Sequence, residues 1–264
     1  MSSPAPLSSP LSSPRARCEF YFDTSSPWTY LAFARICQLA ARTGCELILK
    51  PFLVGGVFNV SNKSLYAARD RLLSKADNNT NTTTVRKKPK EIWMDNDLKN
   101  WADFMSLDIK TMGERYNART KKGQPGHPIS SVRMLRGALV AQQEEGEDAM
   151  IRFANASFHA YWGLLQDVNS VESLREMHAS AKLKMPFDIF LKRISDDDIK
   201  KKLRLNTQEV IDRGGFGSPS IYVSRPDGEP GFTEYFGWGN DRMELVEAAM
   251  LRARGKPWRY HSRL

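Results

Sequence analysis

Large apolar residues cluster in the run Cys18-Glu19-Phe20-Tyr21-Phe22, which ends at Asp23. Such a short apolar run predicts a buried strand. Two serines follow, then Pro27 and a stretch with helical spacing. Ser26 is the expected N-cap, because its hydroxyl can accept an orphan first-turn amide, and Pro27 suits the first helical position. The helix is expected to reach about Thr43, with Gly44 as its stop. The run CELILKPFLV, rich in leucine and isoleucine, predicts a second strand. Strand, helix and strand in about 35 residues make a βαβ unit.

From Asn59 to Asn206 the pattern is mostly helical. The polar stretch ADNNTNTTTVRKKPK interrupts it and predicts a flexible loop near residues 76–90. SVRMLRGALVAQQEE puts Val132, Leu135, Leu139 and Val140 on one face, and AMIRFANASFHAYW adds a second apolar helix. NSVESLREMHASAKL opens with Asn169 and Glu172 at capping-box spacing. SDDDIKKKLRLNTQEVIDRGG is expected to start at Ser195, carry acids in its first turn and stop at Gly214. Then the period changes: GSPSIYVSRPDGEPGFTEYFG predicts two short strands around a Pro-Asp-Gly turn, and NDRMELVEAAMLRAR a closing helix. The order is therefore βαβ, a helical block, and αββα. This predicts an α/β fold in which the two ends of the chain form one four-stranded mixed sheet. The expected segments are a disordered tail (1–17), a first sheet part (18–58), an inserted all-helical domain (59–206), and a second sheet part with a C-terminal tail (207–264).

Composition narrows the function classes. The 264 residues are 41% apolar, enough for a sizeable core, and no apolar run reaches the length of a membrane span. The net charge of +9 is concentrated partly in an acid-free end bearing Arg252, Arg254, Lys256, Arg259 and Arg263. The middle mixes both signs, as solvated helix faces do, so no nucleic-acid partner is expected. The basic balance suits an anionic small molecule. Three cysteines, Cys18, Cys37 and Cys45, show neither metal spacing nor a Cys-x-x-Cys pair, and the histidines are scattered. Reduced thiols and no metal are expected. The N-terminal tail is acid-poor, but its four prolines oppose the amphipathic helix of a transit peptide.

A strand that runs into a helix at a Ser-Pro step resembles the place where thiol-redox proteins carry Cys-x-x-Cys. Here the two outer positions are Ser26 and Thr29. A thiol–disulfide oxidoreductase needs a nucleophilic cysteine at that turn. The architecture resembles the thioredoxin-like fold with an inserted helical domain. The stretches YFDTSSPWTYLAF, VGGVFNVSNK, KEIWMDNDLK, GGFGSPSIYV and FGWGNDRMEL occur in an order that resembles kappa-class glutathione transferases. They equally resemble the related 2-hydroxychromene-2-carboxylate isomerases of the DsbA-like group. The resemblance covers roughly residues 18–258.

The resemblance implies glutathione as co-substrate or recycled cofactor, a small electrophile as second substrate, and a homodimer. It places the glutathione sulfur at Ser26, with Ser25 as the neighbouring rival. A hydroxyl can donate to a sulfur anion, and a helix N-terminus adds partial positive charge beside it. It makes Ser218-Pro219 a cis-proline loop whose backbone receives a peptide-like ligand. It assigns Asn240 and Asp241 to the γ-glutamyl end, although on local pattern alone they simply cap the last helix. It makes Asn62 a ligand-binding residue and Lys90 the cation for a glutathione carboxylate, with Lys87 and Lys88 as rivals. Trp28, Tyr30, Phe58 and Trp93 are aromatic candidates for the second-substrate pocket, or core residues. Transfer onto an activated carbon and isomerisation with recycled glutathione would use the same residues. A non-catalytic glutathione-binding protein is the remaining class. The ending Ser262-Arg263-Leu264 is a variant of the peroxisomal Ser-Lys-Leu signal, with the cytoplasm or mitochondrion as alternatives.

Overall fold

The computed structural model describes residues 16–61, 89–115, 130–225 and 234–256. Its centre is strand β1 (Arg17–Phe22). β1 pairs parallel with β2 (Glu46–Pro51) and antiparallel with β3 (Ser220–Ser224), and β3 pairs antiparallel with β4 (Tyr235–Trp238), in the order β2-β1-β3-β4. The sheet is four-stranded and mixed, built from both ends of the chain.

The apolar continuity of β1 has a simple cause: both faces are covered. Cys18, Phe20 and Phe22 point into the main core, while Tyr21 packs on the other face with Phe52, Val57, Val210 and Tyr222. Helix α1 (Pro27–Thr43) covers the main face with Leu31, Ala32, Ile36 and Leu39, all buried. It ends at Gly44, in left-handed geometry at φ 67°, as its sequence position predicts.

Between the sheet halves lie α2 (Val54–Ser61), α3 (Pro89–Met105), α4 (Val132–Glu145), α5 (Glu147–Phe158), α6 (Val171–Ser180), α7 (Phe187–Arg193) and α8 (Asp197–Asp212). Helix α9 (Met243–Ala253) closes the chain after a 3₁₀ turn at Asn240–Arg242. Among the described residues, no helix is long and apolar enough to cross a membrane.

Three local expectations need correction. The second strand stops at Pro51, and Val54 already begins a helix, because the Asp23 carboxylate accepts the Val54 N–H at 2.9 Å and caps it. The cap of α6 is Ser170, whose Oγ accepts from Ser173 N at 3.0 Å, so Asn169 lies one residue outside the cap. Helix α8 takes Asp196 rather than Ser195 as its N-cap and gives way at Arg213, just before Gly214 (φ 73°). The polar stretch near 76–90 lies almost wholly outside the described residues, as does the Pro-Asp-Gly turn.

The helical block is tied to the sheet by aromatic packing. Phe158, the last residue of α5, stacks on Tyr30 of α1 at 5.0 Å with rings parallel to within 1°. It also meets Phe33 at 5.4 Å and Phe22 at 6.3 Å. A π-helical turn, His159–Gly163, follows directly. The turn carries Trp162, fully buried, whose indole Nε1 donates to the Thr24 carbonyl at 3.0 Å. The inserted block thereby holds the β1–α1 turn. Trp162→Phe keeps most of the apolar contact but leaves that carbonyl without the indole donor, and is expected to cost about 1–3 kcal/mol. Denaturant unfolding measures it; an unchanged midpoint would show that the bond is not a support.

Candidate active site

The β1–α1 turn is built by a side-chain cap. Ser26 has extended backbone (φ −104°, ψ 121°), and its Oγ accepts the Thr29 N–H at 3.3 Å. Pro27 has no N–H to satisfy. Among the described residues the Trp28 N–H finds no acceptor, so the first turn of α1 keeps one unmatched amide. Of the two rival serines, Ser26 is the cap. Ser25 instead donates its N–H to Asp23 Oδ1 at 2.9 Å.

The second wall is the loop before β3. The Ser218–Pro219 peptide is cis. The antiparallel register pairs Tyr21 with Ser220, so Asp23 falls opposite Ser218. Three hydrogen bonds result. Asp23 N–H donates to Ser218 Oγ at 3.0 Å; the Ser218 and Thr29 hydroxyls hydrogen-bond to each other at 2.8 Å; Ser26 Oγ donates to the Ser218 carbonyl at 3.1 Å. Ser26, Ser218 and Pro219 are thus brought together, and Thr29 and Asp23 join them. Neither was a site candidate in the sequence, though Thr29 stands at the amide-capping distance from Ser26 and Asp23 ends the apolar run.

Asp23 is fully buried, and its burial pushes the carboxyl above the ordinary carboxylate range, against hydrogen bonds from Ser25, Ser131 and Val54 that pull it down. It acts as a bracket holding the turn and the start of α2 at once.

Asn240 and Asp241 lie at the same end of the sheet, since Trp238, the last residue of β4, pairs with Ser220. The two behave differently. Asn240 is 2% exposed, and its side-chain Oδ1 and Nδ2 have no partner among the described residues. A buried amide with both groups unmatched is costly unless a ligand completes it. Its main-chain carbonyl takes a long bond of 3.5 Å from Arg35 Nη1. Asp241 is exposed and lies 3.6 Å from Arg242. Lys90 is exposed in the first turn of α3, and among the described residues no hydrogen bond joins it to Ser26, Ser218 or Asn240. Asn62, Lys87 and Lys88 lie outside the described residues. Of the aromatic candidates, Tyr30 is core, Trp28 and Phe58 are partly buried, and Trp93 is exposed.

None of the described thiols lies in the turn. Burial pushes the Cys18 and Cys37 thiols up and the Cys45 thiol up to about 12, which disfavours the thiolate in each. Among the described residues, no group of three metal-ligating side chains gathers.

The family model of the DSBA-like thioredoxin domain matches residues 17–251, most of the chain. The chain belongs to this family. Within the DSBA-like family its curated relatives include the 2-hydroxychromene-2-carboxylate isomerase of Sphingobium xenophagum, 23% identical over 239 residues, covering 88% of this chain and 97% of the relative. Glutathione S-transferase kappa 1 of Caenorhabditis elegans is 24% identical over 231 residues, covering 87% and 88%. Among solved structures, a probable DsbA oxidoreductase from Streptomyces coelicolor superposes with a TM-score of 0.62 at 18% identity, covering 95% of this chain and 94% of that one. The fold is that of the DSBA-like thioredoxin domain. These relatives bear enzyme names.

The Ser218 hydroxyl links three elements in this family member. Ser218→Ala strips the Asp23 N–H and Thr29 Oγ1 of their buried partner, with an expected loss of about 1–3 kcal/mol. Stability measurements on Ser218→Ala and Ser220→Ala separate this from any general effect at the loop. Among the described residues Ser220 Oγ donates to Gly217 O alone, at 2.8 Å, so the second variant should lose less.

Proposed function

We propose that the chain is a glutathione-dependent enzyme that seats the glutathione sulfur at the N-terminus of α1 and activates it as a thiolate. The observation that carries this reading is the turn itself: a helix N-terminus and a hydroxyl facing a cis-proline loop, with no thiol at either outer position. The relatives support the ligand, since one is named a glutathione transferase.

The energetics are sufficient. A free thiol has a reference pKa of about 8.5, and each unit of lowering needs about 1.4 kcal/mol. A helix N-terminus contributes about 0.3–1 kcal/mol, and a hydrogen bond to a charged acceptor about 1.5–3 kcal/mol. Ser26 Oγ can keep the Thr29 N–H while turning its own proton from the Ser218 carbonyl to the sulfur. The released carbonyl can then accept an amide N–H of the tripeptide. The unmatched Asn240 amide offers a donor and an acceptor to a zwitterionic end of the ligand, and Asp241 suits its ammonium. Asn62 and Lys90 are proposed for the remaining carboxylate on resemblance alone.

In a transfer reaction the thiolate attacks the electrophilic carbon. A C–S bond forms, the leaving group departs with its electron pair, and the thiol proton passes to water. A second reading is isomerisation, favoured by the near-complete coverage of the Sphingobium isomerase. There the thiolate adds to a conjugated double bond, rotation follows about the new single bond, and the C–S bond breaks again to return glutathione.

Ser26→Ala is expected to lower kcat/KM by about 10–100-fold, while glutathione affinity moves less than about threefold. Ser26→Gly, which retains the capping backbone at a cost of only about a few tenths of a kcal/mol, should show the same kinetic loss. Turnover unchanged in both variants, or lost equally in Ser25→Ala, would overturn the assignment. We further propose peroxisomal targeting by Ser262-Arg263-Leu264. A reporter-tagged chain should collect in peroxisomes and leave them when that tripeptide is deleted; an unchanged distribution would contradict it.

A further inference from the structure

Two arginines meet without a carboxylate on the seam between α4 and α8. The two helices pack against each other, and contacts at both ends make them antiparallel. At one end Gln143 Nε2 donates to Asp198 Oδ2 at 3.2 Å. At the other, Thr207 Oγ1 accepts the Leu53 N–H at 3.0 Å. The next amide, Val54, donates to Asp23, which also takes a hydrogen bond from Ser131, just before α4. Arg136 lies about two turns before Gln143, and Arg204 about two turns after Asp198, so the antiparallel packing sets them side by side.

Arg136 is half-buried, and its Nε is sealed from solvent with no hydrogen-bond partner among the described residues. Arg204 is exposed. Among the described residues neither guanidinium makes an ion pair, whereas Arg35, Arg42, Arg193 and Arg213 each hold a carboxylate. Burial, and then the like charge of Arg204, lowers the pKa of the Arg136 guanidinium. A sealed guanidinium nitrogen beside a second cation is unfavourable until an anion completes it.

We propose that Arg136 and Arg204 form a binding site for the phosphate group of a small phosphorylated molecule. A guanidinium presents its N–H donors as a planar fork that matches phosphate oxygens. A carboxylate carries one charge and fills one fork. A phosphate monoester carries close to two charges near neutral pH and has three acceptor oxygens, enough to bridge both arginines. Arg136 supplies the inner fork with its recessed Nε, and Arg204 meets the outer oxygens from the surface. The site lies on the helical insertion and does not depend on the glutathione reading.

The test titrates the whole chain with inorganic phosphate at constant ionic strength and follows phosphorus-31 line broadening. The wild type should show saturable binding. Arg204→Gln should weaken it about tenfold, and Arg136→Lys, which keeps the charge but withdraws the Nε donor, about fivefold. Lys202→Gln removes the same charge from an exposed position on the other side of α8 and should stay within about twofold. Phenyl phosphate, a monoester, should bind at least as tightly as inorganic phosphate. No saturable binding by the wild type, equal losses in Arg204→Gln and Lys202→Gln, or unchanged binding in Arg136→Lys overturns the site. A free ion that binds well while the monoester does not overturns the phosphorylated ligand.

Discussion

The site depends on the docking of the Ser218-Pro219 loop against the first turn of α1. Roughly two hundred residues of chain separate the two, yet three hydrogen bonds converge on Ser218 from Asp23, Ser26 and Thr29. The convergence is a consequence of register. Because Tyr21 opposes Ser220, continuing the ladder by two residues puts Asp23 opposite Ser218. A slip by one residue would turn every side chain of β1 to the wrong face. The cores on both faces of β1 forbid that slip, with Phe20 and Phe22 on one and Tyr21 on the other. Packing therefore fixes register, and register sets the site.

The helical insertion contributes support as well as bulk. Phe158 stacks on Tyr30, and Trp162 reaches the Thr24 carbonyl. Asp23 ties the same turn to the start of α2. The turn is thus held from the sheet, from the cis-proline loop and from the insertion. Such over-determination suits a place meant to position a developing charge, because fixed dipoles need no reorganisation when the charge appears. Under the proposed function, the same turn keeps the electrostatics of a thiol site without a cysteine of its own. The helix N-terminus and the capping hydroxyl remain, and in the proposed reading the sulfur comes with the ligand.

Much of this was legible in the chain. The continuous apolar run of β1, the Ser26-Pro27 start and the Gly44 stop of α1 are local signals, and the structure carries all three. The mixed four-stranded sheet followed from strand order alone. What escaped was non-local. Nothing in its sequence neighbours shows that Asp23 caps α2 or that Ser218 bonds three partners. Caps were also displaced by one residue at α6 and α8, where adjacent serine, asparagine and aspartate compete and tertiary packing picks the winner. Among the site residues, the cis-proline motif read well because proline constrains its own geometry. Asn240 carried no local sign of burial: its pattern suggests a helix cap, and the structure buries it with its side-chain amide unmatched among the described residues.

The central claim is that the α1 N-terminus and Ser26 lower the pKa of a thiol brought to the turn. The most direct measurement is an ultraviolet pH titration of thiolate absorbance with the wild-type chain saturated by glutathione. The account predicts ionisation about one to two units below the free-thiol value of about 8.5. Bound glutathione that titrates as it does in free solution would contradict it.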